Sequence, residues 1–302
     1  MTNRNSEPYD AIIVGAGPGG VQAAIYLGRY NFRVLILDRG TGGRTRHAVH
    51  VENYLGHRAV SGGELLDIGL AQARSFGVEV VKAKVTGIEK GQVFTVRTEE
   101  AEYTGRFVIA STGVRDNLPQ VENLGRHFGR SFYTCVDCDG HRTTGKKLLV
   151  MGNAFATVRL AFAMKEMYTS DISLLLLMYE PPEEYKEALA DEGITLVKGK
   201  PRRLVGDEEL EALELEDGRR IECQRIMSNF GFKLNDSFLS GLDLKRDAKG
   251  FKYEVNAHLE SSLDGLYIVG PLNTGNDQIV IAAGEGATAA VDIKKRILEA
   301  LL

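Results

Sequence analysis

The sequence predicts an α/β protein of two three-layer domains, the second inserted in the first, and three observations carry that prediction. A glycine-rich strand, turn, helix and strand open the chain at Tyr9, and a weaker copy of the unit begins at Lys147. A last buried strand and a closing helix follow Gly265 and return the chain to the first domain. The expected boundaries are 1–114 with 247–302 for the first domain and 115–246 for the insert. Two nearby crossings would connect them, an arrangement that permits a hinge.

Tyr9-Asp10-Ala11-Ile12-Ile13-Val14 has no charge after Asp10, as expected of a parallel strand buried on both faces. Gly15-Ala16-Gly17-Pro18-Gly19-Gly20 follows, then a helical pattern over Val21 to Tyr30 and a strand from Arg33 to Leu37 that ends at Asp38. Glycines spaced G-x-G-x-x-G allow a tight turn, backbone approach to a pyrophosphate and close helix packing, and the helix end supplies free amides. A carboxylate at Asp38 can accept from ribose hydroxyls. Strand, glycines, helix, strand and acid in one window predict a Rossmann-like dinucleotide site, without choosing between FAD and NAD.

In the second copy the strand is Leu148 to Met151 and the helix about Val158 to Met167. Gly152 matches Gly15, but Ala154 and Thr157 stand where Gly17 and Gly20 would, and Phe155 falls in the turn. Side chains there obstruct approach to a pyrophosphate. The next strand ends in Met178-Tyr179-Glu180-Pro181-Pro182, with no arginine for a 2′-phosphate, so NADP is not expected here. A structural unit that binds nothing is the competing reading. Asp207 to Arg220 alternates charged and apolar residues around Asp217-Gly218 and reads as a hairpin with a solvated face. Leu234 to Lys249 is turn-like, Gly265 to Gly270 holds the last buried strand, and the final helix starts near Gln278 and runs to the C-terminus.

Lys and Arg number 37 against 41 Asp and Glu, a net charge of -4 that argues against a nucleic-acid partner. The longest apolar stretch, Leu174 to Tyr179, is far too short to span a membrane, and residues 1–9 lack the apolar region of a signal peptide. A soluble, cytoplasmic protein is the expectation. Three cysteines, two of them close together (Cys135, Cys138), do not make the even framework of a secreted scaffold, and Cys223 reads as structural.

Thr134-Cys135-Val136-Asp137-Cys138-Asp139-Gly140 is the sharpest chemical signal, because a C-x-x-C pair can close a small disulfide tuned for exchange. His141 adds a third donor, but a structural zinc site needs four, so no metal is expected, either here or from His47, His50 and His57. Asp137 and Asp139 disfavour a thiolate at Cys138, which makes sense if a carboxyl moves a proton; Asp139 is the candidate, with capping of the turn at Gly140 as its plainer role. A flavin accepts hydride and forms thiol adducts more readily than a pyridine nucleotide exchanges with a dithiol, so the first dinucleotide site is expected to hold FAD.

Gly15-Ala16-Gly17-Pro18-Gly19-Gly20, Gly42-Gly43, Glu52-Asn53-Tyr54, Ser111-Thr112-Gly113, Cys135 to Gly140 and Gly284-Glu285-Gly286 stand in the order seen in low-molecular-weight thioredoxin reductases. The chain resembles that family over nearly its whole length. The resemblance implies a two-domain flavoprotein, a homodimer, whose C-x-x-C domain rotates so that the disulfide meets either flavin or partner. It implies that Gly15, Gly17, Gly20 and Asp38 hold the adenosine and pyrophosphate of FAD, with Asn53, Thr112, Gly113, Gln278 and Ile279 nearer the rest of the flavin. Pro18, Gly19, Arg39, Gly43, Arg44, Val85, Ser111, Gly270 and Pro271 complete the implied cofactor set. Cys138 would face the flavin, Cys135 would engage the external thiol, and Asp139 would move the proton.

Two departures qualify the resemblance. The family has Gly-Asp where this chain has Gly270-Pro271, and small hydroxyl residues and a glutamine where Arg44, Arg46, His47 and His50 stand. The missing nicotinamide-site glycines and arginines make the chain look like pyridine-nucleotide-independent relatives, either ferredoxin-dependent flavin thioredoxin reductases or diflavin-linked disulfide oxidoreductases. The latter are favoured, with a second FAD near Gly152, Asn153, Ala154, Phe155 and Tyr179 and with Met178 as a further apolar contact. The expected activity is FAD-dependent dithiol/disulfide exchange without NAD(P)H, toward a redox protein such as thioredoxin or ferredoxin or a small thiol. An NADPH-driven reductase and a flavin-binding redox sensor are the alternatives.

Overall fold

The computed structural model describes residues 7–301. The N-terminal segment expected to lack an apolar leader lies, over residues 1–6, outside the described residues, as does residue 302 at the chain's end. The chain divides into two compact units, one formed by the stretches up to Arg115 and from Lys233, the other by Asp116–Phe232. The return comes at Lys233 rather than near 247, for a packing reason. Phe238, Leu239 and Tyr253 are buried in the same cluster as Ile12, Val14 and Leu37, so the turn-like segment belongs to the first unit's core.

Unit 1 begins with β1 (Tyr9–Val14), α1 (Pro18–Arg29) and β2 (Val34–Asp38). It continues through α2 (Gly62–Ser75), β3 (Glu79–Lys82), β4 (Val85–Lys90), β5 (Phe94–Thr98), β6 (Glu102–Ala110) and β7 (Val114–Asp116), the last of which crosses to unit 2. The central strands run parallel in the order β3-β2-β1-β6, with β5 and β4 added antiparallel. Apolar runs such as Ile12-Ile13-Val14 are fully covered because both sheet faces carry a core. α2 starts where Ser61 accepts from the Glu64 N–H at 3.1 Å, an N-cap worth about 1 kcal/mol.

Unit 2 contains α3 (Leu124–His127), β8 (Phe132–Tyr133), α4 (Val136–Asp139), β9 (Leu148–Gly152), α5 (Phe155–Met167), β10 (Ile172–Leu176), α6 (Glu183–Asp191) and β11 (Thr195–Val197). Then come β12 (Pro201–Val205), β13 (Ala212–Leu215), β14 (Arg220–Glu222) and β15 (Arg225–Asn229). The parallel sheet has the order β11-β10-β9-β15-β8. α5 and α6 cover one face, and the antiparallel β12-β13-β14 sheet covers the other with Leu204, Leu213 and Ile221. The expected hairpin at Asp217-Gly218 is the β13–β14 turn.

β16 (Phe232–Leu234) crosses back, and unit 1 closes with β17 (Leu266–Ile268) and α7 (Ile279–Glu299). β17 adds parallel to the C-terminal half of β6. α7 lies against α1 so closely that a Cβ on Gly19 would stand 2.9 Å from the Ala282 carbonyl oxygen, and one on Gly286 would overlap the Gly19 carbonyl. Gly286 of the Gly284-Glu285-Gly286 run therefore has a packing cause, while Gly284 has open space beside it. Among the described residues no helix is long and apolar enough to cross a membrane.

Candidate active site

In unit 1 the first turn forms a cradle. Gly15 has φ 103°, and a Cβ there would lie 2.7 Å from the Ser111 carbonyl oxygen. Gly17 precedes α1 without a side-chain cap, its missing Cβ facing little but that carbonyl at 3.3 Å, so the first amides of α1 stay approachable. Gly20 packs onto the Gly15 carbonyl and the Ser111 hydroxyl, and that hydroxyl donates to the Gly15 oxygen at 2.7 Å. Asp38 accepts from the Ala16 N–H at 2.9 Å and the Gly40 N–H at 2.7 Å, which fixes the carboxylate at the mouth of the turn. A side-chain-free cradle, approachable amides and a fixed acid fit the pyrophosphate and adenosine ribose of FAD.

The other predicted cofactor residues of unit 1 fall into three groups. Thr112 Oγ1 donates to the Asn235 carbonyl at 2.6 Å and Asn235 Nδ2 donates back to the Thr112 carbonyl at 3.0 Å, just before Gly113 turns with φ 62°. Near α7, Asn53 Nδ2 donates to Gln278 Oε1 at 3.1 Å, and Arg44 lies 3.9 Å from Asp277. Gln278 and Ile279 mark the helix start, as Pro18 and Gly19 do for α1. Arg39 and Gly43 are exposed, whereas the Val85 side chain packs into the core.

At Gly270-Pro271 a short turn follows β17, and it shows residues that sequence reasoning missed. The Gly270 N–H donates to Glu285 Oε2 at 2.5 Å, and buried Asn273 donates to the same oxygen at 2.9 Å. Burial pushes the Glu285 carboxyl above its ordinary value against these donors. Lys252 Nζ bridges Asp277 at 2.8 Å and the Gly275 carbonyl at 3.1 Å. The sequence signs were a polar run, Asn273 to Asp277, between a buried strand and a helix, and the Gly284-Glu285-Gly286 motif, in which Glu285 was given no role.

In unit 2 the Cys135–Cys138 disulfide is formed, with Cα atoms 5.3 Å apart across the single turn of α4. Register places it. Tyr133 pairs with Met227, and Asn229 pairs with Gly152, so Cys135 leaves β8 at the C-terminal edge of the sheet, level with the Gly152 turn. That edge is where α/β sheets build sites. Both cysteines are half-buried, Thr134 Oγ1 donates to Asp116 at 3.3 Å, and the Asp139 N–H donates to the Cys135 carbonyl at 3.1 Å. Asp139 makes no side-chain cap at Gly140; Arg142 Nε stands 3.8 Å from its carboxylate. Gly140 is required because a Cβ would meet the Tyr168 ring at 2.6 Å.

Gly152, Asn153 and Ala154 form the second turn, and Phe155 is the first residue of α5 rather than part of the turn. Its ring sits edge-on to Tyr185 at 4.7 Å, and Tyr179 packs on the same core, while Met178 is fully exposed with φ 58°. Thr157 is buried against Gly152, and Leu176 occupies the place in β10 that Asp38 holds in β2. A surface cavity of about 360 Å³, lined by Lys147, Asp171 and Arg219 among others, opens at the opposite end of these strands. Cys223 is buried, its thiol pushed up to about 12 by desolvation. His47, His50 and His57 are exposed, and among the described residues no cluster of His, Cys, Asp and Glu could hold a metal.

A thioredoxin reductase of Aquifex aeolicus is 29% identical over 95% of this chain and 93% of its own length. An NADH dehydrogenase of Bacillus subtilis is 25% identical over 95% of this chain, which spans 58% of that longer protein. In fold, the thioredoxin reductase of Streptococcus pyogenes superposes with a TM-score of 0.87 at 24% identity, covering 96% of this chain and 98% of its own. Residues 9–286 match the pyridine nucleotide-disulphide oxidoreductase family, and the chain belongs to that family of FAD-binding, flavin-dependent oxidoreductases.

Proposed function

We propose that this chain is a thioredoxin-reductase-like dithiol/disulfide oxidoreductase that exchanges electrons between Cys135/Cys138 and one FAD without using NAD(P)H. The observation that carries this reading is the contrast between its two nucleotide turns. At the first, Gly17 leaves room for a pyrophosphate and Gly20 lets α1 pack onto the turn; at the second, Ala154 projects a methyl at the helix start and Thr157 lies against Gly152. The acid that would receive a ribose is Leu176. The same side chains weigh against a second FAD in that turn, and Phe155 and Tyr179 are engaged with the core. Electrons would therefore pass to or from a redox protein of the thioredoxin kind, as the relatives' names suggest, or a small thiol.

When bound, FAD supplies the acceptor and donor of an electron pair. Gly15, Gly17 and Gly20 would admit its pyrophosphate, Asp38 would bind the adenosine ribose, and the α7 start with Asn53 and Gln278 would contact the remainder. Cys135 and Cys138 would open and close their disulfide while Asp139 accepts and returns a proton.

The test is FAD content by chromatography of the released cofactor, followed by anaerobic addition of a small dithiol. One FAD per chain is expected, with bleaching in the parent protein. Cys135→Ser and Cys138→Ser are expected to slow that bleaching at least about 100-fold. Two FAD per chain would restore the diflavin reading. Variants that bleach like the parent would favour a redox sensor.

A further inference from the structure

We propose that Arg142 is a positioning residue for the disulfide. It stands against the carboxylate of Asp139, the residue after Cys138, and offsets the negative charge that Asp137 and Asp139 place around the thiolate. The inference rests on the reading that Cys135 and Cys138 are the redox pair.

The geometry is local to one fixed turn. Arg142 Nε lies 3.8 Å from Asp139 Oδ1, with the side chains 23% and 21% exposed. The turn is pinned on either side of Arg142, by Gly140 against the Tyr168 ring and by fully buried Thr143, whose Oγ1 donates to the Gly140 carbonyl at 2.7 Å. The backbone that carries both side chains is therefore packed in place.

The charges around this turn explain why a cation is needed. Asp137 and Asp139 flank Cys138, with His141 next on the same segment. From β8, buried Tyr133 feels Asp139 and Glu209 as well as Arg142 and Arg225. Arg225, on β15, is paired with Glu209 at 3.0 Å, and Asp116 accepts from Thr134. Tyr168, at the end of α5, adds a phenol over Gly140. Arg225 is engaged by Glu209, and Arg142 is a cation that reaches the Asp139 carboxylate. In thiol activation the S–H bond of Cys138 breaks and the proton goes to a carboxylate oxygen of Asp139; the reverse step returns it. A nearby carboxylate raises a thiol pKa and a nearby guanidinium lowers it.

The experiment is iodoacetamide alkylation of the reduced, FAD-loaded protein across pH, read at each cysteine by mass spectrometry. Cys223 stays unlabelled in a folded chain and so reports on integrity. Arg142→Gln is expected to raise the alkylation midpoint of Cys138 by about half to one pH unit, the size of a partly exposed charge effect. Arg142→Lys should recover at least half of that shift, and Asp139→Asn should move the midpoint down. An Arg142→Gln profile that overlies the parent overturns the proposal. So does a shift that lysine fails to recover, or an Asp139→Asn profile that does not move. Failure of the redox-pair reading would look different: Cys135→Ser would retain dithiol-driven flavin bleaching whatever the alkylation midpoints.

Discussion

Gly20 and Thr157 hold the same place in two copies of one motif, and the difference between them is a side chain. A methyl on Gly20 would overlap the Gly15 carbonyl and the Ser111 hydroxyl, so Gly20→Ala must push α1 away from β1. The expected cost is about 1–3 kcal/mol with loss of FAD on gel filtration, checked by thermal melting and flavin absorbance of the eluted protein. Thr157→Ala, by contrast, removes a buried hydroxyl and methyl beside Gly152, with a long contact to the Asn229 carbonyl at 3.4 Å, and is expected to leave flavin content unchanged. The glycine cradle, Asp38 and the cysteine pair were legible in the sequence because their chemistry depends on spacing within a short window. Glu285, Asn273 and Lys252 were not, because each acquires its role from a partner brought near by folding.

At the scale of elements, hydrophobic runs located β1, β2, β9, β10 and β17, but the starts of α1 and α5 were read too late. α1 begins at Pro18 and α5 at Phe155, each immediately after a residue that offers no side-chain cap; Pro18 in the first turn is the one start signal α1 carries, and α5 has none. The short α3 carries a pH-sensitive group. His127 is 1% exposed, its Nε2–H donates to the Gly206 carbonyl at 3.1 Å, and its Nδ1 accepts from the Ser131 hydroxyl at 2.9 Å. Burial depresses its pKa below the ordinary value for histidine. The unfolded chain therefore takes up a proton before the folded one does. Stability from the neutral ring is present above about 6.5 and is lost as pH falls through the lower folded value. Melting temperatures from pH 7 to pH 5 should fall more steeply for the parent than for His127→Gln, and parallel curves would refute this.

For the whole molecule, the order of units was readable from the repeated motif and the final strand. The return point was not, because the segment from Leu234 to Lys249 is turn-like in sequence and gains its place only by burying Phe238 and Leu239 in the core of unit 1. The functional conclusion also belongs to this scale, since it concerns which of two homologous turns receives a cofactor. The most direct test is anaerobic addition of stoichiometric NADPH to the FAD-loaded protein, followed at the flavin absorbance band, with a small dithiol added afterwards. The account predicts an unchanged band with NADPH and prompt bleaching with the dithiol. Prompt bleaching by NADPH alone would contradict it and return the chain to the NADPH-driven reductases.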